Sequence, residues 1–304
     1  MCCSGKDRLW VVLPYFNYCG FKTRRELFIK FVNEIRSLEE ISIVIVEATG
    51  STPLPRDLGV KKHLTVPVTS NIWIKESLVN LGIHALPSGW KYVAWIDADI
   101  SFLNKNWALE TIDELQTADV VQMFRTAVNL GPHSEALKID KSFAYMAVDS
   151  GTPFVKSDRY GYWHPGYAWA CTRRAWKQMR GLLDWAILGS ADRHMALAWI
   201  GRVEESRPGN LHPNYLNMLL EYQTFCRGFK ISYVDGTIVH HWHGRFVDRR
   251  YKERWDILTK NQFDPISDVG ITREGLVQLT PKGRRLSKEI GEYFLGRKED
   301  GLLV

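Results

Sequence analysis

Over the first hundred residues, short and almost wholly apolar runs alternate with segments whose apolar residues recur every three or four positions. That is the pattern of a mostly parallel sheet covered by helices. Residues 9–14 (LWVVLP) and 41–47 (ISIVIVE) read as buried strands, and 63–68 (HLTVPV) as a third strand shortened by Pro67. Leu27, Phe28, Phe31, Val32 and Ile35 share one face of a helix predicted over 24–35. Ile74, Leu78 and Leu81 line a second helix, capped by Ser70 or Asn71 and closed by Gly82. Residues 92–99 (YVAWIDAD) form a fourth strand that runs straight into two carboxylates. A helix opened by Asn104 or Asn106 and carrying Leu109, Ile112 and Leu115 follows, then a strand over 119–124. Residues 126–165 show no period, and an aperiodic stretch of that length in a compact protein is usually functional or mobile.

Strand character resumes at 166–171, and Thr172 caps a helix with Trp176 and Met179. Shorter helices are predicted from Asp192 to Gly201 and from Pro213 to Cys226, the second ended by Gly228. KISYVDGTIVHHWHG delivers a histidine cluster into a turn, and the charged last forty residues hold a helix over 281–294. The expected organisation is one domain over 1–262, in two halves of about 1–125 and 126–262. A charged helical extension would occupy 263–304.

Composition sharpens this picture at five points. With 304 residues, 45% hydrophobic and 24% charged, the chain can bury a sizeable core. No run approaches the roughly 18 apolar residues of a spanning helix, so no transmembrane segment is expected. The first residues, MCCSGKDR, lack a signal peptide's apolar stretch; the expected location is cytoplasmic, with Cys2 and Cys3 leaving room for lipidation and peripheral membrane association. Five cysteines without CxxC spacing argue for reduced thiols. The net charge of +6 suits an anionic ligand such as a nucleotide but is too small and dispersed for nucleic acid.

Chemistry concentrates in three places. Asp97 and Asp99, leaving a buried strand, can both reach a divalent cation, and such a hard oxygen site suits Mn²⁺ or Mg²⁺ carrying a diphosphate. In His240-His241-Trp242-His243-Gly244, strand alternation would pair His241 with His243, whereas a turn near Trp242 would let His240 and His243 converge on the metal. In LDWAILGSADRHM, Asp192 opens a helix as a cap or as a general base.

Residues 162–201 (YWHPGYAWACTRRAWKQMRGLLDWAILGSADRHMALAWIG) resemble the carboxyl-terminal core of β-1,4-galactosyltransferases. Residues 73–107, with Asn80 and Gly82 in an N-x-G turn and Asp97 and Asp99 as D-x-D, are similar to the same family. So are LPYFN with Arg24, and the H-x-W-H-G turn in the place of the family's metal-binding histidine. The resemblance implies an α/β protein of the GT-A fold, with a mixed, mostly parallel central sheet flanked by helices. It further implies a metal-dependent transferase moving a sugar from a nucleotide sugar, a UDP-sugar first of all, to a hydroxyl of a glycan or glycoconjugate acceptor with inversion.

By the same resemblance, Asp99 and His243, with His240 as the alternative histidine, hold Mn²⁺ or Mg²⁺. Asp97 then lies nearer the ribose or a metal-bound water, and Asp192 is the general base. Pro14, Tyr15, Asn17 and Glu47 border the nucleoside, and Arg24 and Lys75 the diphosphate. Tyr160, Tyr162, Trp163 and His164 form a lid, and Trp185 stacks on the acceptor or packs in the core. The family's acidic pair is here Ala191-Asp192, and its luminal anchor and disulfides are missing, which points to a bacterial, phage or large-virus relative. The competing classes are a sugar-1-phosphate nucleotidyltransferase, disfavoured by the single Gly in PYFNYCGFK, a non-catalytic carbohydrate-binding relative, and a metal-dependent nuclease.

Overall fold

The computed structural model describes residues 7–50, 52–149 and 163–301. Cys2, Cys3, Tyr160 and Tyr162 lie outside the described residues. The first half alternates strand and helix as expected: β1 (Leu9–Tyr15), α1 (Lys22–Ile35), β2 (Ile41–Ala48), β3 (Lys62–Val66), α2 (Lys75–His84) and β4 (Tyr92–Ile96). Next come β5 (Ile100–Phe102), α3 (Trp107–Glu114) and β6 (Val120–Gln122). The stretch expected to be aperiodic contains an antiparallel pair, β7 (Thr126–Leu130) and β8 (Ala136–Lys141), and a short helix α4 (Phe143–Val148) capped by the Ser142 hydroxyl. Its strands show no sequence alternation because one of them, β8, is mostly exposed along its length.

The second half holds β9 (Ala168–Thr172), α5 (Arg173–Gln178), α6 (Ala191–Trp199), α7 (Pro213–Phe225), β10 (Ile231–Tyr233) and β11 (Thr237–His240). It ends with α8 (Glu253–Lys260), the hairpin β12 (Val269–Ile271) and β13 (Val277–Leu279), and α9 (Ser287–Leu295). Thr172 caps α5 as expected, its hydroxyl accepting from Ala175 N at 3.1 Å.

The central sheet has the order β10-β6-β9-β4-β1-β2-β3, parallel throughout except where β9 runs antiparallel between β6 and β4. β2 is buried at all eight positions, which is why it reads as a continuous apolar run rather than an alternation. Alternation in β1 sends Leu9, Val11 and Leu13 to one face with α1 residues Phe28, Phe31 and Val32, and Val12 to the other with Leu78 of α2. A second sheet, β5-β11-β7-β8, leans on one edge of this layer.

Two expectations are revised here. Gly82 does not close α2, which runs on to His84. A Cβ at Gly82 would sit 2.4 Å from Val12 Cγ1 and 3.0 Å from Val46 Cγ2, so the glycine lets α2 lie directly on β1 and β2. The segment 263–304 was expected as an extension, but its described residues, 263–301, pack Val277, Leu279, Leu286, Ile290 and Tyr293 into the same core as Val12 and Leu78. Among the described residues no helix is long and apolar enough to cross a membrane.

Candidate functional site

β1, β2 and β4 are parallel, so their carboxyl ends share one edge of the sheet, where open α/β sheets bind ligands. A cleft of about 470 Å³ opens there. β1 contributes Pro14 and Tyr15, α2 contributes Lys75 and Glu76, and the turn after β4 contributes Asp97 and Asp99. β9 runs the opposite way and so begins at this edge, bringing Trp163 to Tyr167. The start of α6 brings Asp192 and Arg193.

The histidines arrive through the second sheet. β11 pairs antiparallel with β5, placing His240 opposite Ile100, and His241 N donates to Asp99 O at 2.8 Å. This register and the turn after it settle the sequence alternative. His240 and His243 converge, Nε2 to Nε2 3.2 Å, while His241 turns away to Ser101 Oγ at 2.8 Å. His243 Nε2 lies 2.9 Å and His240 Nε2 3.8 Å from Asp99 Oδ2, and one ligand atom from each residue falls within 4.8 Å of the others.

The residue types and their spacing fit a cation. Arg249 Nη2 donates to His243 Nε2 at 2.9 Å, so that nitrogen carries a lone pair and the ring proton sits on Nδ1, facing Glu299 Oε2 at 3.8 Å. Burial pushes His240 down to about 4 and lowers His243 too, leaving both rings neutral at pH 7. Burial opposes ionisation of Asp99, but the flanking imidazoles hold it well below the usual carboxylate range. One carboxylate and two imidazoles therefore crowd together, with Asp99 Oδ1 and His240 Nδ1 buried and unpartnered among the described residues. Such a carboxylate and imidazole set matches the ligands a divalent cation takes.

Asp97 is engaged elsewhere, ion-paired with Lys75. Burial would deprotonate Lys75, yet Asp97 and Glu76 hold it above its ordinary value and charged, whereas burial raises Asp97 despite that lysine. Asp192 stands in the first turn of α6, its Oδ1 accepting from Arg193 N at 2.8 Å. A Cβ at Gly166 would come within 2.6 Å of Asp192 Oδ2, so only glycine lets the carboxylate close on the strand. Asn80 fixes the approach to α6: Leu182 N donates to its Oδ1 at 2.8 Å, and its Nδ2 donates to Leu182 O at 2.9 Å.

Three sequence candidates do not line the cleft. Asn17 clamps the turn before α1 through Phe21, at 3.0 Å and 2.8 Å. Glu47 is taken up by His63 at 2.7 Å and Leu54 N at 2.9 Å. Trp185 packs edge-on against Tyr215, with centroids 4.8 Å apart. Pro14, Tyr15, Arg24, Lys75, Asp97, Asp99, Asp192, His240 and His243 all line it, although Arg24 is held in a fork by Glu299 at 2.7 Å and 2.6 Å.

Sequence reasoning missed Glu76, Arg249, Arg254, Arg297 and Glu299 in the lining. The alternation of arginines with rings in RFVDRRYKERW was a usable signal for two of them. Arg249 lies 5.0 Å over Phe246 and Arg254 5.0 Å over Tyr251. Nothing local marks Glu299, which is held below its ordinary value, against burial, by Arg24 and Arg297.

Glu76 yields a stability prediction. Burial raises its carboxyl to about 8, and the Trp73 indole donates to it at 3.1 Å. The unfolded value is about 4.3, so across that interval the folded state binds the extra proton and stability falls as pH rises. Glu76→Gln should gain on the wild type by about 1 kcal/mol or more between pH 5 and pH 8. Urea unfolding at the two pH values measures this, and parallel pH slopes for the two proteins would contradict it.

No family model matches the chain, and no curated protein matches it. Among solved structures it is similar to the catalytic domain of Drosophila β1,4-galactosyltransferase 7 in complex with xylobiose, at 13% identity and TM-score 0.46, covering 93% of this chain and 98% of that one. It is also similar to mannosyltransferase PcManGT from Pyrobaculum calidifontis, bound to GDP-Man and Mn²⁺, at 13% identity and TM-score 0.46, covering 96% and 70%. Glucosyl-3-phosphoglycerate synthase from Mycobacterium tuberculosis follows at 13% identity and TM-score 0.43, covering 91% and 87%. Scores below 0.5 leave the chemistry of the cleft to its own residues.

Proposed function

We propose that the cleft transfers a sugar from a nucleoside-diphosphate sugar, with UDP as the nucleotide, to a hydroxyl of a glycan or glycoconjugate, inverting the anomeric carbon in the manner of a GT-A enzyme. One observation carries this reading: ligand atoms of Asp99, His240 and His243 lie within 4.8 Å of one another beside Arg249, a buried guanidinium that no carboxylate pairs with among the described residues. A buried charge of that kind needs an anion, and a carboxylate with two imidazoles at this spacing suits a divalent cation. A metal-bound diphosphate supplies both.

Asp99, His240 and His243 would hold the divalent ion, and two imidazoles among three ligands favour Mn²⁺ over Mg²⁺. When bound, the ion contributes positive charge opposite the departing diphosphate. Arg249 and the charged Lys75 add fixed positive charge on the same side, already oriented before substrate arrives. Asp97 holds Lys75 in place. Asp192 accepts the acceptor hydroxyl's proton as its oxygen attacks the anomeric carbon. Trp73 and Trp163 wall the cleft and restrict water.

The test is a panel of UDP- and GDP-sugars with and without Mn²⁺, read by nucleotide release. Slow donor hydrolysis that requires Mn²⁺ and is accelerated by an acceptor is the expected result. Pyrophosphate-dependent turnover would establish a nucleotidyltransferase instead, and binding of glycans with no release from any donor would leave only a carbohydrate-binding relative.

A further inference from the structure

We propose that His164 is a substrate-contacting residue that donates a hydrogen bond from Nε2 to the same hydroxyl whose proton faces Asp192. This rests on the transferase reading above and assigns its site a second hydroxyl-binding group.

The direction of the imidazole is fixed by its surroundings. Gly166 N donates to His164 Nδ1 at 3.1 Å, so Nδ1 carries the lone pair and the ring proton resides on Nε2. The ring lies flat on Tyr167, centroids 3.8 Å apart and 8° between planes, and Tyr167 is anchored by its hydroxyl donating to Asn129 Oδ1 at 2.7 Å. The backbone is held on both sides: His164 N donates to Lys141 O at 2.8 Å, and its carbonyl accepts from Phe143 N at 3.1 Å and Gln122 Nε2 at 2.9 Å. A locked ring thus presents an N–H that has no partner among the described residues, in the lining of the cleft.

The same ring borders Asp192. The point where a Cβ of Gly166 would sit is 2.6 Å from Asp192 Oδ2, 3.1 Å from His164 Cε1 and 3.5 Å from His164 Nδ1, so the Cε1–Nδ1 edge of the ring faces the carboxylate across the glycine. Asp192 and His164, an acceptor and a donor, both line the same cleft. Only a ligand group that both accepts and donates satisfies the two. Phosphate and carboxylate are repelled by Asp192, an ammonium offers no lone pair to Nε2–H, and an alcohol fits. Held so, the hydroxyl spends one lone pair on His164 and aims its proton at Asp192, and the remaining lone pair is free to attack. In the transfer the O–H bond breaks with its proton passing to Asp192, the new glycosidic C–O bond forms, and the anomeric bond to the diphosphate breaks with its electron pair leaving on phosphate oxygen.

Three variants test this with a UDP-sugar that the wild type turns over and p-nitrophenyl glycosides as acceptor probes. His164→Phe keeps a ring on Tyr167 and deletes the donor. It should lower kcat/KM for the acceptor by about ten- to a hundred-fold while UDP affinity in Mn²⁺ stays within about two-fold of wild type. His164→Gln places an N–H near the position of Nε2, His164→Asn only near that of Nδ1, so Gln should retain about ten-fold more acceptor kcat/KM than Asn. That comparison carries the test if the Phe variant does not fold. Wild-type acceptor kinetics in His164→Phe, equal rates in the Gln and Asn variants, or a parallel loss of UDP affinity would overturn the proposal. A wild type inactive on every donor would instead remove the transferase reading and this inference with it.

Discussion

Asp192→Asn is expected to lower turnover on the order of 10²-fold or more while leaving the affinities for UDP and Mn²⁺ nearly unchanged. Asparagine preserves the shape, and its carbonyl oxygen can still accept from Arg193 N, as Asp192 Oδ1 does at 2.8 Å, so the start of α6 has no reason to shift. The variant loses only the basic oxygen that lies against Gly166, whereas the diphosphate is assigned to the cluster of Asp99, His240, His243 and Arg249. An effect on turnover alone follows from that separation between proton acceptance and diphosphate binding. Steady-state kinetics paired with calorimetric UDP titration measures both quantities. A fall in UDP affinity matching the fall in turnover would assign Asp192 to donor binding and remove it as the base.

His243→Ala is the second large effect. Changing a residue that merely orients a metal ligand costs about 10- to 100-fold in metal affinity, and losing a ligand from a set of three should exceed that. The variant should also abolish the thermal stabilisation of the wild type by Mn²⁺, which at a hundred-fold excess over Kd amounts to about 2.7 kcal/mol. Chelation should silence the wild-type enzyme, with Mn²⁺ restoring it. Melting curves with and without Mn²⁺ provide a readout independent of turnover. Equal Mn²⁺ shifts in wild type and variant would show that the ion, if bound, is held elsewhere.

The cleft edge was readable in part because its carboxylates follow a continuous apolar strand. Residues 92–96 are buried on both faces, so the chain must turn where polarity changes, and that turn lies at the ligand-binding edge. Asp192 was readable as the residue opening α6, and Thr172 as a cap, since both signals are local. Trp185 stayed open between two readings for a complementary reason: a tryptophan in a loop before a helix looks the same in sequence whether it faces a sugar or, as here, Tyr215. Glu47 likewise ends a strand at the correct edge, but its partner His63 comes from β3, whose register with β2 no local pattern specifies. The pairing of β7 with β8 was lost because exposed strands need no apolar alternation.

Periodicity and punctuation, which act over a few residues, were enough to establish the buried parallel strands, the acidic turn and most of the helices of this chain, though not α4 or α8. Which histidine faces Asp99 depended on β11 meeting β5 with His240 opposite Ile100, a contact between segments about 140 residues apart. Arg297 and Glu299 entered the cleft only because α9 packs its apolar face into the main core and carries the following residues back to His243 and Arg24. Such placements come from burying distant apolar surfaces against one another, a free energy summed over the whole molecule that no window of sequence contains.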